Sequence, residues 1–340
     1  MKGDCVLEQA THHVGTGAHT IQSPLLVADV GGTNVRFGIV TEQTGQLPMV
    51  SEEKSFRCQE FNCFEDAMEA YLKTLSLRID RACVAVAGPV FSGEVEMTNL
   101  NWRLRDKVIS DRFGLSSTNV INDFVAQAMS VSVCDLESLT KVRSATSVEH
   151  AQRVVLGAGT GLGVAALIYT NHWHAVSSEA GHMMYAPHSD LEKQVHIHLK
   201  KTFGFVSLER ILSGPGLVNV YRAMCEIHGE RPKPYEAKDI DEMSRSIGDP
   251  MCSAAVEFFW TVLGGCAADL ALTFHADGGV FLGGGVLTRM RDQLSKERFN
   301  QGYLRNTVKR DYLEALPVFL LDDGETGLEG AAVYATRISG

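Results

Sequence analysis

The chain has 340 residues, 45% of them apolar and 21% charged, with a formal net charge of −10. It is long enough for two ordinary domains with sizeable cores. An acidic balance with no Lys/Arg block excludes a polyanion such as nucleic acid, since no basic surface is present to displace condensed counterions; a small, polar metabolite suits it better.

Residues 1–24, MKGDCVLEQATHHVGTGAHTIQSP, lack the charged start and apolar stretch of a signal peptide and read as a flexible extension. Nowhere is there a run of about 18 apolar residues free of charge, so no membrane span is expected. The eight cysteines (5, 58, 63, 83, 134, 225, 252 and 266) form no C-x-x-C pair or zinc-ribbon spacing. They read as reduced thiols in a cytoplasmic setting, several serving as small hydrophobes, with no metal site among them.

From Leu25, two strand-like apolar runs, LLVADV and VRFGIV, flank the turn Asp29-Val30-Gly31-Gly32-Thr33-Asn34. The recurrence of Phe64, Ala67, Met68, Tyr71, Leu72, Leu75 and Ile79 predicts a helix over 64–79, and ACVAVAG from Ala82 a further strand. A second unit opens at RVVLGAGTGLGVAALIY (residues 153–169), again two apolar runs about a Gly-Thr turn. Such internal similarity predicts a duplicated βββαβα-type architecture whose two turns face one cleft. Helical patterns follow in DLEKQVHIHLKKTF and SLERIL, then a break at Ser213-Gly214-Pro215-Gly216, then LVNVYRAMCEIHG. Residues 252–276 are apolar nearly all round, as in a buried central helix. GGVFLGGGVL (residues 278–287) reads as a buried strand, a triple-glycine turn and the start of a polar helix, LTRMRDQLSKERF.

The turns match neither common nucleotide loop: no G-x-x-x-x-G-K-[ST] is present, GAGTGLG fails G-x-G-x-x-G, and both turns lead into strands. A glycine-rich hairpin tip is either a tight turn or a cradle whose backbone N–H groups approach a phosphate. Asp29 bears on the choice. A carboxylate at the end of an apolar strand is costly to bury alone; it is explained by a hydrated Mg²⁺ beside a phosphate, or by pairing with Arg36.

Taken in order, VADVGGTNVRFGIV, MTNLNW, VINDF, LGAGTGLGVA, SEAGH, LERILSGPGLVNVYRA and VFLGGGV resemble the bacterial-type glucokinases of the hexokinase, actin and chaperone-ATPase superfamily, over roughly residues 25–337. The resemblance implies an α/β, two-domain actin-like ATPase (ribonuclease H-like) fold with an interdomain cleft. Residues 25–133 plus 322–340 would form the smaller domain and 134–321 the larger. It implies transfer of the γ-phosphate of ATP to the 6-hydroxyl of glucose, with Mg²⁺, in a chain for which a homodimer is a family-level expectation. By the same resemblance Asp29, Gly31, Gly32, Thr33 and Asn34, with Gly159, Thr160 and Gly161, embrace the ATP phosphates, Asp29 reaching the metal through water. Gly283, Gly284 and Gly285 lie against the adenosine end. Asp123 is the base toward the sugar hydroxyl, and Asn99, Asn122, Glu179, His182 and Glu209 bind the sugar with it.

The residues alone leave blander readings open: Asn122-Asp123 as a helix N-cap, His182 as a structural histidine, and Glu209 as a helix-start carboxylate. Ala28, Ser178 and Ala180 depart from the family's usual glycines, which bears on fine sugar preference. Rival functions are a kinase for another hexose and a non-catalytic sugar or ATP sensor on the same fold. A sugar-responsive DNA-binding regulator on this fold would carry an N-terminal DNA-binding domain and, in the related repressor/kinase family, a cysteine-rich zinc motif; only 24 residues precede the fold here and no cysteine cluster follows SEAGH.

Overall fold

The computed structural model describes residues 18–44, 47–97, 100–245, 248–321 and 326–338. An antiparallel meander opens it: β1 (Ala18–Val30), β2 (Asn34–Thr44) and β3 (Leu47–Arg57). Helix α1 (Phe64–Leu72) leads to β4 (Arg81–Val86); a small ribbon, β5 (Glu94–Glu96) with β6 (Arg103–Arg105), precedes α2 (Asp106–Phe113), β7 (Ser117–Asn122) and α3 (Asp123–Val131). The first sheet has the order β3-β2-β1-β4-β7, with β4 and β7 parallel to β1, and β2 antiparallel to both β1 and β3.

The second sheet is built from β8 (Thr140–Arg143), β9 (Arg153–Ala158), β10 (Leu162–Tyr169), β11 (Trp173–Ser178), β12 (Val280–Gly283) and β13 (Val318–Leu320), in the order β11-β10-β9-β12-β13-β8. Apart from the edge strand β8, order and strand directions repeat those of the first sheet. This is the duplicated ribonuclease H-like arrangement of an actin-like ATPase. The helices α4 (Asp190–Phe203), α5 (Gly214–Ile227), α6 (Ala237–Arg245), α7 (Pro250–Phe274), α8 (Gly285–Arg289), α9 (Lys296–Tyr303) and α10 (Arg310–Glu314) fall between or after the second sheet's strands, and α11 (Thr326–Ile338) follows β13.

The central strands are apolar on both faces because both faces are covered. Leu26, Ala28 and Val30 pack toward α1 through Phe64, Met68 and Tyr71, while Leu25 and Val27 face α3 and α11 through Val125, Ala126, Leu328 and Ala332. Val155, Ala165 and Phe281 of the second sheet meet the other side of α3 and α11 at Ala128, Met129 and Val333. Helices α3 and α11 are therefore the layer between the sheets. The outer face of the second sheet is buried by the remaining helices, with Trp260 and Phe259 of α7 fully enclosed. Helix α7 is long and apolar enough to cross a membrane, but its side chains form this core.

Several local readings change. Residues 18–24, read as part of the extension, continue β1, where Ala18, His19 and Thr20 are in register with Thr44, Gln43 and Glu42 of β2. The helix expected over 64–79 stops at Leu72: Thr74 donates its hydroxyl to the Tyr71 carbonyl, closing the end, and Ile79 is buried in the approach to β4 instead. SLERIL is only a single 3₁₀ turn, Leu208–Arg210. Ser213-Gly214-Pro215-Gly216 is the first turn of α5, with the Ser213 hydroxyl accepting the Gly216 amide at 2.9 Å and Pro in the position where its missing N–H costs nothing. The polar helix after Gly283 is three pieces: α8, a 3₁₀ turn and α9.

Helix α11 approaches α3 closely because Gly330 has no side chain; a Cβ there would overlap the Ala126 carbonyl. Gly330→Ala is expected to lower stability by about 1–3 kcal/mol, the usual cost of overpacking. The check is a denaturant titration, in which the midpoint falls while the slope stays unchanged.

Candidate active site

Strand register places the key carboxylates. Asp29 pairs with Ala85 of β4, and Val86 pairs with Asn122 of β7, so the C-terminal ends of three parallel strands lie level. Ligands bind at such edges because the chain there turns into loops and helix N-termini instead of continuing the ladder. Asn122 caps α3: its Oδ1 accepts the Phe124 amide at 2.9 Å. Its Nδ2 donates to Gly88 O at 3.0 Å and to Asp123 Oδ1 at 2.9 Å. Both amide hydrogens of Asn122 are thus committed to holding the loop after β4 and aiming Asp123.

Asp29 is paired with Arg36 across the hairpin at 3.2 Å, the arrangement that the sequence held open as an alternative. The Asp29 side chain is only 20% exposed and that of Arg36 47%, so burial outweighs a partner that is itself well hydrated, and the Asp29 carboxyl is pushed above its ordinary value. Asp123 is pushed further, from 3.8 to about 7, first by burial and then by the negative charge of Asp29; the amides of Phe124 and Asn122 oppose the rise. The hairpin tip beyond Asp29 is exposed at Gly32, Thr33 and Asn34. It is closed by Gly31 N donating to Asn34 O and tied down by Cys58 N donating to Thr33 O, both at 2.9 Å.

The second sheet presents the matching hairpin. Gly159 N donates to Gly161 O at 2.8 Å, closing the β9–β10 tip, and Gly214 N donates to Gly159 O at 2.8 Å, joining it to the start of α5. Gly159, Thr160 and Gly285 line a cavity of ≈ 630 Å³ whose wall continues through Pro215, Asn219, Arg222, Tyr235 and Arg289. Gly159 and Gly285 have ordinary backbone angles and open space where a Cβ would lie. Nothing internal requires glycine there, whereas a ligand lying against the backbone would. Gly284 is different: its φ of +93 and its approach to Ala158 demand glycine structurally. Gly283 ends β12, in register with Gly157.

Two short 3₁₀ turns, Ala180–His182 with Glu179 just before it and Leu208–Arg210 carrying Glu209, meet the same hairpin; among the side chains of Glu179, His182 and Glu209 it is Glu209 that touches it. The turns are laced together by Leu208 N donating to Met183 O and Tyr185 N to Val206 O, each at 2.9 Å. Gly181 lies against the backbone, where a Cβ would overlap the Leu162 carbonyl. Glu209 Oε2 accepts the Leu162 amide at 3.0 Å, and the carboxylate sits where a Cβ on Gly161 would be 2.5 Å away. Glu179 and His182 lie 3.9 Å apart and are well exposed. The Ser178 hydroxyl accepts the Ala180 amide at 3.1 Å, so the two departures from glycine close one turn together. Asn99 lies outside the described residues. The cavity wall from α5 to Tyr235 was missed by sequence reading: Arg222 lies within LERILSGPGLVNVYRA but was given no role there, and Tyr235 and Arg289 belong to no motif.

A family model described as glucokinase matches residues 26–338. The glucokinase of Saccharophagus degradans is 37% identical over 317 residues, 93% of this chain and 99% of that one. The chain belongs to the glucokinase family. It is an ATP-dependent hexose kinase. A solved glucokinase from an Antarctic psychrotroph superposes with a TM-score of 0.85 at 34% identity, covering 93% of this chain and 99% of the other. A ROK family glucokinase from Streptomyces griseus, solved in complex with glucose and AMPPNP, shares the fold at a TM-score of 0.61 and 21% identity, covering 92% and 99%.

The raised Asp123 carboxyl has a consequence for stability. A group held above its ordinary value favours the fold when protonated, so this contribution is present below about pH 4 and is lost as pH rises through about 7. Asp123→Asn keeps the acceptor oxygen without the charge. At pH about 8 the variant is expected to melt above the wild type, with the difference vanishing toward pH 4, as followed by thermal melts across that range.

Proposed function

We propose that the chain phosphorylates glucose at its 6-hydroxyl, with Asp123 as the base. The observation that carries this reading is a half-buried carboxylate with an affinity for protons near neutrality, at the start of α3, beside Asp29 and at the strand edge next to the Asp29–Asn34 hairpin. A base works best when its pKa lies near the operating pH. As the sugar oxygen bonds to the γ-phosphorus its proton passes to Asp123, the bond to the bridging oxygen breaks, and ADP leaves. Phosphoryl transfer asks mainly for alignment and charge compensation. Thr33, Asn34, the exposed backbone of Gly32 and the adjoining Gly31, with Gly159, Thr160 and Gly161, are assigned to the phosphates, and Gly283, Gly284 and Gly285 with the ≈ 630 Å³ cavity to the adenosine.

Glu179, His182 and the free oxygen of Glu209 are assigned to the sugar hydroxyls, since carboxylates and an imidazole bond hydroxyls directionally. Asn122 contributes chiefly by orienting Asp123. Magnesium fits this edge: two carboxylates close enough for one to raise the other would both be relieved by a cation. Such an ion would be held by the phosphates, and Asp29 would reach it through water. When bound, it neutralises charge on the transferring phosphoryl group. Closure of the smaller unit, residues 25–133 plus 322–340, onto residues 134–321 would exclude water, and free cysteines accord with a reducing cytoplasm.

Purified Asp123→Asn is expected to lose about 10²–10⁴-fold in turnover with MgATP and glucose while still binding the sugar. Steady-state kinetics beside glucose titration calorimetry make the check, and near-normal turnover in the folded variant overturns the assignment.

A further inference from the structure

One face of the second sheet carries a bare row. Gly163 of β10 lies opposite Gly157 of β9, and Gly157 is in register with Gly283 of β12, so three neighbouring strands present no side chain at one level. The next row on that face, Ala165, Val155 and Phe281, is filled and packs against α3. The first turn of α3 occupies the bare row. A Cβ on Gly157 would come 2.8 Å from both the Phe124 ring and the Gly283 carbonyl, one on Gly163 would overlap that ring outright, and one on Gly283 would lie 2.9 Å from the Gln127 amide nitrogen. None of the three glycines has a positive φ, so no backbone conformation explains them. The Phe124 ring explains Gly163, the Gln127 amide Gly283, and the ring together with the Gly283 carbonyl explains Gly157.

The far end of α3 is held by the same sheet. Arg153, the first residue of β9, donates from its guanidinium to the carbonyl of Val131 at 2.7 Å and stacks 4.8 Å from the Trp173 ring centre. Helix α3 continues directly from β7 of the first sheet, yet both of its ends are fastened to the second. Asp123 is its first residue, immediately before Phe124.

We propose that Phe124 is a positioning residue for phosphoryl transfer. Seated in the three-glycine row, its ring fixes the start of α3, and so the Asp123 carboxylate, against the β9–β10 hairpin, and it keeps water from the carboxylate. The inference rests on Asp123 being the base. A smaller side chain leaves the helix start free to shift and admits water. Displacement of about 1 Å at a reacting group costs on the order of 10²-fold in rate, and hydration returns the carboxyl toward its ordinary value. Hexose affinity, which lies with residues of the 3₁₀ turns, is left nearly unchanged.

The test compares the full-length wild type with Phe124→Leu, Gly163→Ala, the double variant and Asp123→Asn, in kcat and KM for glucose with MgATP from about pH 5.5 to 9. Phe124→Leu and Gly163→Ala are each expected to lower kcat by on the order of 10²-fold, with KM for glucose little moved. In Phe124→Leu the acid limb of the pH profile moves to lower pH. The double variant recovers at least about tenfold over Gly163→Ala alone, because the smaller side chain makes room for the added methyl. Should Gly163→Ala not fold, Phe124→Tyr replaces it; keeping the ring, it retains wild-type kcat and acid limb while Phe124→Leu does not. Wild-type kcat and acid limb in Phe124→Leu, or a loss confined to KM, overturns the inference while an inactive Asp123→Asn leaves the base assignment intact. An active Asp123→Asn overturns both.

Discussion

The site depends on a pair of carboxylates withdrawn from water, Asp29 near the end of β1 and Asp123 at the start of α3, with β4 between their strands. Burial raises the proton affinity of both, and the charge on Asp29 raises that of Asp123 further. Among the described residues the counter-charge at hand is Arg36, and it stands half in solvent on the side of Asp29. Exposed ion pairs of this sort are worth about 0–1 kcal/mol, too little to offset the desolvation. Such an arrangement is sustained by the surrounding structure, and the cation proposed for this edge would relieve it.

The sheets supply that support by repetition. Each places a hairpin tip at its cleft edge: Gly31 to Asn34 in the first, Gly159 to Gly161 in the second. The two units differ in what stands behind the tip. Behind the first are the acids of β1 and α3; behind the second are the start of α5 and the ≈ 630 Å³ cavity. On the proposed reading, one duplicated architecture is divided between proton chemistry and nucleotide accommodation. Helices α3 and α11 fill the space between the sheets, and glycines on both sides let the layers approach: Gly157, Gly163 and Gly283 toward α3, Gly330 of α11 toward Ala126 and Gly327 toward Asp29.

Much of this was legible from local pattern. The hairpin strands follow from apolar runs broken at glycines, and α7 from its all-round apolar surface, because burial on every side leaves that mark in composition. Where reading failed, a cap or a close approach decided. Thr74 ended α1 early although Leu75 and Ile79 kept the helical spacing, since both remain apolar for reasons of core packing. Ser213 turned an apparent helix break into a helix start. Gly284, one of a run of three, is the one whose backbone angle requires glycine, and spacing cannot distinguish it from Gly285.

By itself the sequence determined the fold class, the repeat, the family and the residue types able to do the chemistry, because those are properties of motif order and of periodicity along one chain. Only the tertiary structure decided that Asn122 is committed to aiming Asp123, that Glu209 grips the Leu162 amide, and that Arg222, Tyr235 and Arg289 share a cavity with Gly159. It also decided the proton affinity of Asp123, which depends on burial by distant segments and on the charge of Asp29, 94 positions earlier in the chain. Desolvation and Coulomb interaction act through space, and no local pattern along the chain records which residues will be neighbours there.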